Sequence, residues 1–136
     1  MVIASPLPGD DERIPMPTIT RAGNILKATD GAIGLPSMDV PGVEAAIGDS
    51  FHNPGGSVLS SGFFELKSGA PLEYEYTYDE TKIVVKGEFL LTDIDTGESL
   101  RAGLGEVLFF PKGTKVRFET DDHAIGFFAG DRSFAP

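Results

Sequence analysis

Cysteine is absent from this chain of 136 residues, so neither a disulfide nor thiolate chemistry is available to it. No apolar run approaches the roughly 20 residues that a membrane-crossing helix requires, and residues 1–13 lack the basic-then-apolar order of a secretory leader. The expectation is a soluble, cytoplasmic protein. Basic residues are scarce: 11 Lys and Arg face 21 Asp and Glu, for a formal charge of −10. Such a field repels phosphate backbones and anionic membranes, so neither nucleic acid nor a membrane is expected as a partner. Phosphate-binding loops are missing as well, since Lys112-Gly113-Thr114 sets those residues in the wrong order and Lys112 reads as an exposed turn residue. Histidine is limited to His52 and His123. His52 lies in the turn-rich Phe51-His52-Asn53-Pro54-Gly55-Gly56 and reads as a solvated loop residue. His123 follows Asp121 and Asp122 at a strand start and reads as a surface residue.

What is present is the punctuation of a small β domain. The length suits one domain that buries about two-thirds of its unfolded surface. Pro6, Pro8, Pro15 and Pro17 exclude regular helix from residues 1–20, which are expected to form an irregular arm. Residues 21–56 alternate short apolar groups with Gly and Pro, and within them only Val43 to Ile47 suits a helical turn. From Ser57 onward the reading is almost wholly β: Val58 to Leu66, Leu72 to Tyr78, Lys82 to Thr92, Glu106 to Phe110, Lys115 to Glu119 and His123 to Ala129. Residues 93–98 form a hairpin connection. The domain expectation is an arm over 1–20 and one barrel or sandwich over 21–136.

Alternation along strands selects the candidate site, because successive side chains point to opposite faces. Lys115-Val116-Arg117-Phe118-Glu119 sends Val116 and Phe118 inward and its charges outward. Glu73-Tyr74-Glu75-Tyr76 does the same for Tyr74 and Tyr76, and Glu80 follows them around a turn into the same space. Rings from Phe63 or Phe64, Phe109 or Phe110, and Phe127 or Phe128 complete an aromatic interior; Phe63 and Phe109 are taken with Val116 and Phe118 as ligand-binding walls. A carboxyl group enclosed by rings is poised for general acid or base work when desolvation outweighs the hydrogen bonds of the phenols. Three readings stand side by side: a ligand-binding or catalytic pocket, a satisfied hydrogen-bond network in a packed core, and an unconventional metal site built on Glu80 with phenolate oxygen.

Two spaced frames carry a family resemblance. The first runs from Gly69 to Gly87 and ends in Glu80, six residues and Gly87; the second runs from Gly105 to about residue 120 and reads glycine, five residues, Pro111, one residue, Gly113. This resembles the cupin superfamily, which implies an all-β double-stranded β-helix, the jelly-roll barrel. Carried over by position, the metal-binding histidines of that superfamily fall on Tyr74, Tyr76 and Val116, and its glutamate on Glu80. The resemblance thus implies a barrel without the usual metal ligands, and no cofactor is expected. Tyr78-Asp79-Glu80 and Pro111-Lys112-Gly113-Thr114, with Gly62 to Leu66, are similar to the ethanolamine-utilisation protein Q group. That resemblance implies a link to ethanolamine breakdown in bacterial microcompartments and an acetate kinase activity. The expected function is binding of a small organic molecule, with Tyr74 and Tyr76 as hydrogen-bond donors and Glu80 as the base of a metal-independent conversion. The alternatives are a non-catalytic sensor or scaffold, a metalloenzyme with Tyr, Glu and His ligands, and an acetate kinase. A homodimer is expected.

Overall fold

The computed structural model describes residues 18–132. Eleven strands follow one another: β1 (Thr18–Ala22), β2 (Ile25–Thr29), β3 (Ala45–His52), β4 (Leu59–Lys67), β5 (Leu72–Glu75), β6 (Glu80–Lys86), β7 (Glu88–Asp93), β8 (Ser99–Gly103), β9 (Val107–Phe110), β10 (Lys115–Glu119) and β11 (His123–Asp131). No α-helix occurs among the described residues, and one 3-10 turn spans Pro54–Gly56. The strands form a five-stranded sheet in the order β3-β4-β11-β6-β9, a four-stranded sheet in the order β5-β10-β7-β8, and a separate β1-β2 ribbon. The fold is all-β, and it is a jelly-roll barrel of two facing sheets.

The inner faces of the two large sheets meet through rings. Phe64 of β4 packs on Phe118 of β10 at 5.2 Å between centroids and on Phe89 of β7 at 5.7 Å. Phe64, Leu66, Leu72, Val84, Phe89, Phe118 and Phe128 are all at most 2% exposed and form the centre of the core. The alternation that buries them is clear in β4 and β11, whose even-numbered residues from Ser60 to Leu66 and from Ala124 to Gly130 are buried.

Several expected boundaries move. Val43 to Ile47 is not a helical turn: Ala45 begins β3, which pairs with β4 from Ala45↔Leu66 onward, and the ladder overrides the local helical preference. The run from Lys82 to Thr92 is two strands rather than one. Gly87, at φ +68°, turns the chain where a Cβ would lie 2.0 Å from the His123 carbonyl oxygen. The strand expected to reach Tyr78 ends at Glu75. The expected arm lies outside the described residues up to residue 17, and its last three positions, 18–20, already belong to β1.

Candidate functional site

Every second residue from Leu72 to Val84 is buried: Leu72, Tyr74, Tyr76, Tyr78, Glu80, Lys82 and Val84. The alternation of burial runs on through the link between β5 and β6, which is anchored against the loop before β10. The Tyr76 amide donates to the Thr114 carbonyl at 2.8 Å, and the Gly113 amide donates to the Tyr76 carbonyl at 2.7 Å. Asp79, which points outward, accepts the Lys112 amide at 2.8 Å. The Tyr78-Asp79-Glu80 and Pro111-Lys112-Gly113 segments are thereby fastened to each other, and the polar side chains of β5 and β6 are delivered to one interior.

Tyr74, Tyr76, Glu80, Val116 and Phe118 all face this interior, as the alternation implies. Lys82 and Tyr78 join them. Tyr76 donates its hydroxyl proton to Glu80 Oε2 at 2.8 Å, and Lys82 Nζ lies 3.2 Å from the same oxygen. Lys82 also donates to the Tyr76 hydroxyl at 3.4 Å. Around the ammonium stand the rings of Phe64 at 4.5 Å, Phe118 at 4.9 Å, Phe110 at 5.5 Å and Phe128 at 5.9 Å. Ring faces attract a cation, and they also shut out the water that would otherwise solvate it. Burial therefore pushes the Lys82 amine below the ordinary lysine value, with the Glu80 carboxylate pulling the other way. Gly126 makes room for the lysine stem: a Cβ there would lie 2.8 Å from Lys82 Cγ and Cδ.

The three phenols are held protonated. Burial, then the charge of Glu80, pushes Tyr76 well above the usual value. Burial raises Tyr74 to about 12, against a lowering by its 2.5 Å hydrogen bond with Tyr78, and burial raises Tyr78 further still.

A second polar cluster closes one end of the barrel. Arg132 grips Asp49 through two parallel hydrogen bonds, Nη2 to Oδ1 at 2.6 Å and Nη1 to Oδ2 at 3.1 Å, and its guanidinium lies 5.7 Å from the Tyr78 ring centre. His52 is exposed, as expected, but it stands at the end of β3 rather than in a loop, beside this pair. Ser60 Oγ and Asp49 Oδ2 both approach His52 Nδ1, at 3.0 and 3.2 Å, so the serine and the carboxylate compete for one nitrogen. A nucleophilic triad needs them on opposite nitrogens, and this cluster is therefore a clamp between β3, β4 and the end of β11. His123 stands at the start of β11, as expected, but its partner is Glu65 at 2.5 Å rather than the neighbouring aspartates.

Phe63 and Phe109 do not face the interior, which corrects their expected place in its wall. Phe63 has the opposite parity to buried Phe64 and packs edge-on against Phe127 on the outer face, at 5.3 Å. Phe109 is 62% exposed on β9, and its neighbour Phe110 turns inward to stack on Tyr76 at 4.6 Å. Phe109 does line a cleft of about 390 Å³ together with Phe110, Val116, Leu91, Leu108 and the β7–β8 hairpin. β8 and β9 are the unpaired edges of their sheets, and the cleft lies where they leave the barrel wall open. Thr92, Asp93, Glu98, Ser99 and Thr114 give it a polar rim, while Phe110 belongs to both the cleft and the Tyr76–Lys82 cluster.

These side chains do not make a conventional metal ligand set. Val116 has no donor atom, the Tyr74 and Tyr76 hydroxyls are engaged, and Lys82 brings a positive charge to the remaining carboxylate. Among the described residues no group of three or more His, Cys, Asp or Glu is placed to hold a metal ion.

Two facing sheets with this strand order and an inward-facing cluster at the two motif positions define a cupin. A cupin-2 domain protein from Shewanella frigidimarina shares the fold, with a TM-score of 0.53 and 15% identity over 64% of this chain and 80% of that one. Residues 38–129 match the family of the ethanolamine utilisation protein EutQ, and the chain belongs to that family. The acetate kinase EutQ of Clostridioides difficile strain 630 is 29% identical over 105 residues, which cover 67% of this chain and 66% of that protein, just under two-thirds of its length. The Clostridium difficile EutQ structure overlays with a TM-score of 0.73 at 21% identity, over 86% of this chain and 95% of that one. A structure described as a putative ethanolamine utilisation protein Q from Salmonella typhimurium LT2 gives 0.71 at 22% identity, over 87% and 97%.

Proposed function

We propose that this protein binds a small organic molecule in its barrel and converts it by acid–base chemistry without a resident metal ion, with Glu80 as the base. The observation that supports this reading is the convergence of two proton-bearing groups on one carboxylate oxygen: Tyr76 at 2.8 Å and Lys82 at 3.2 Å from Glu80 Oε2. Proton transfer by positioned groups of this kind contributes about 10²–10⁴-fold to a rate. The cleft between β8 and β9 offers the entry, with Val116 and Phe110 at its inner wall. Tyr74 pairs with Tyr78 nearby and supplies a second phenol for a ligand oxygen. Ligand found by a thermal-shift screen of small acids, alcohols, aldehydes, amines and sugars is expected to stabilise the protein as its concentration rises. Glu80→Gln is expected to keep that binding and to lose turnover by about 10²-fold or more. Unchanged turnover would remove Glu80 from the role, and elemental analysis showing a stoichiometric transition metal would remove the metal-free reading.

A second reading, phosphoryl transfer to acetate, is supported by the name of the C. difficile relative. Acetyl phosphate formed from ATP and acetate, trapped as its hydroxamate, is the readout; no product above a protein-free blank would end it. The proposal extends to a cytoplasmic homodimer. The β1–β2 ribbon has Ile19 at 46% and Ile25 at 71% exposure, and a two-stranded ribbon is marginally stable by itself, so a second copy is a natural cover. A monomer mass by light scattering would remove that part.

A further inference from the structure

We propose that Lys82 is a covalent catalytic residue which forms an imine with a small aliphatic aldehyde or ketone inside the barrel. The inference rests on the acid–base reading above and deepens it by naming the nucleophile and the substrate class.

Imine formation needs an amine freed of its proton, a group to take that proton and return it to the leaving water, and a donor for the carbonyl oxygen. All three are within hydrogen-bond reach of one another. Lys82 Nζ lies 3.2 Å from Glu80 Oε2 and 3.4 Å from the Tyr76 hydroxyl. Four rings wall the amine and keep bulk water from competing with the carbonyl compound. The same burial holds the amine below the ordinary lysine value, which makes its deprotonation easier than for a solvated lysine. Phe110 separates the amine from the cleft of about 390 Å³: the ring lines that cleft and stands 5.5 Å from Nζ, so Phe110 must move aside for the carbonyl compound to enter. The rings packed around the amine favour a small apolar carbonyl compound of a few carbons.

The step balances without an added oxidant or reductant. Glu80 takes a proton from the Lys82 ammonium, and the nitrogen lone pair attacks the carbonyl carbon, forming the C–N bond. The carbonyl π pair moves to oxygen, which receives the second nitrogen proton through the Tyr76 hydroxyl. Glu80 then returns its proton to the carbinol oxygen, the C–O bond breaks, and water leaves. The product iminium keeps the single positive charge of the ammonium beside the Glu80 carboxylate, so the cluster ends with the charge it began with.

The test is reductive trapping on the intact protein at neutral pH with butanal and cyanoborohydride, followed by peptide mapping. Lys27, Lys67, Lys86, Lys112 and Lys115 serve as internal references. Lys82 is expected to be butylated at least as fast as the references in the folded protein, and Glu80→Gln is expected to slow labelling at Lys82 alone by about 10-fold or more. A digest of protein labelled in urea shows that the Lys82 peptide is detected. Labelling of the references with Lys82 untouched overturns the inference, as does equal labelling of Lys82 in the Glu80→Gln variant. The two proposals fail separately: a ligand converted in a Glu80-dependent manner with no trapping at Lys82 leaves the acid–base reading standing and removes the imine.

Discussion

Lys82→Met is expected to cost about 3–5 kcal/mol of folding stability, because it leaves the Glu80 carboxylate buried beside Tyr76 with no cation. Glu80 is 3% exposed and Lys82 is 4% exposed, so neither can turn to water. Methionine matches the lysine stem and makes favourable contacts with ring edges, so the four-ring cage stays filled and packing loss is small. The unpaired charge is thus the dominant cost. Adding Glu80→Gln in the same chain keeps an acceptor for the Tyr76 hydroxyl while removing the charge. The double variant is expected to regain more than half of the loss, since a buried ion pair replaced as a whole is often close to neutral. Chemical denaturation of the wild type, both single variants and the double variant measures this. A double variant no more stable than Lys82→Met would mean that the stem packing, and not the pair, is what Lys82 supplies.

Above pH 10 the protein is expected to unfold in one step with all three of its tyrosines ionising together. Those tyrosines are Tyr74, Tyr76 and Tyr78, and each is buried and raised above its ordinary value of 10.0. A group raised on folding contributes stability that is whole below the unfolded value and lost as pH climbs toward the folded one. For Tyr74 that window runs from 10.0 to about 12, and for the other two it extends higher. Each proton is worth about 1.4 kcal/mol per pH unit, so the three together remove about 4 kcal/mol per unit. Lys82 acts in the opposite sense: its lowered value makes stability rise with pH up to the ordinary 10.5, by one proton only. Three phenols outweigh one amine, and the net slope turns downward past pH 10. Tyrosinate absorbance followed beside circular dichroism tests this. Absorbance that grows while the fold persists would show that a phenol reaches solvent, contrary to its place in the barrel.

The architecture was legible because its two frames have short-range physical causes. Gly87 marks a turn that admits no Cβ, and Pro111-Lys112-Gly113 forms the loop that Asp79 fastens. Tyr74, Tyr76, Val116 and Phe118 follow from strand alternation, which is a local rule, while Glu80 is reached around a turn and by its place in the first motif frame. The same rule, carried two residues past Glu80, reaches Lys82. Lysine is normally a solvated residue, and nothing local shows that Gly126 of a distant strand leaves space for its stem. Adjacent phenylalanines posed a harder choice. Phe63-Phe64, Phe109-Phe110 and Phe127-Phe128 each offer one ring to either face, and the inward member is fixed by register with neighbouring strands, as in Glu80↔Phe110. Val43 to Ile47 misled for the related reason that the partner strand β4, and not local preference, sets its form.

The link from Tyr76 to Glu80, which keeps the burial alternation of the strands it joins, makes chain length a part of the chemistry. One residue gained or lost there would reverse the handedness of presentation along β6, sending Glu80 and Lys82 to solvent and Thr81 and Ile83 into the barrel. Side-chain replacement can tune this centre gradually, whereas a single-codon deletion in the link would dismantle it while leaving every one of its residues in the chain.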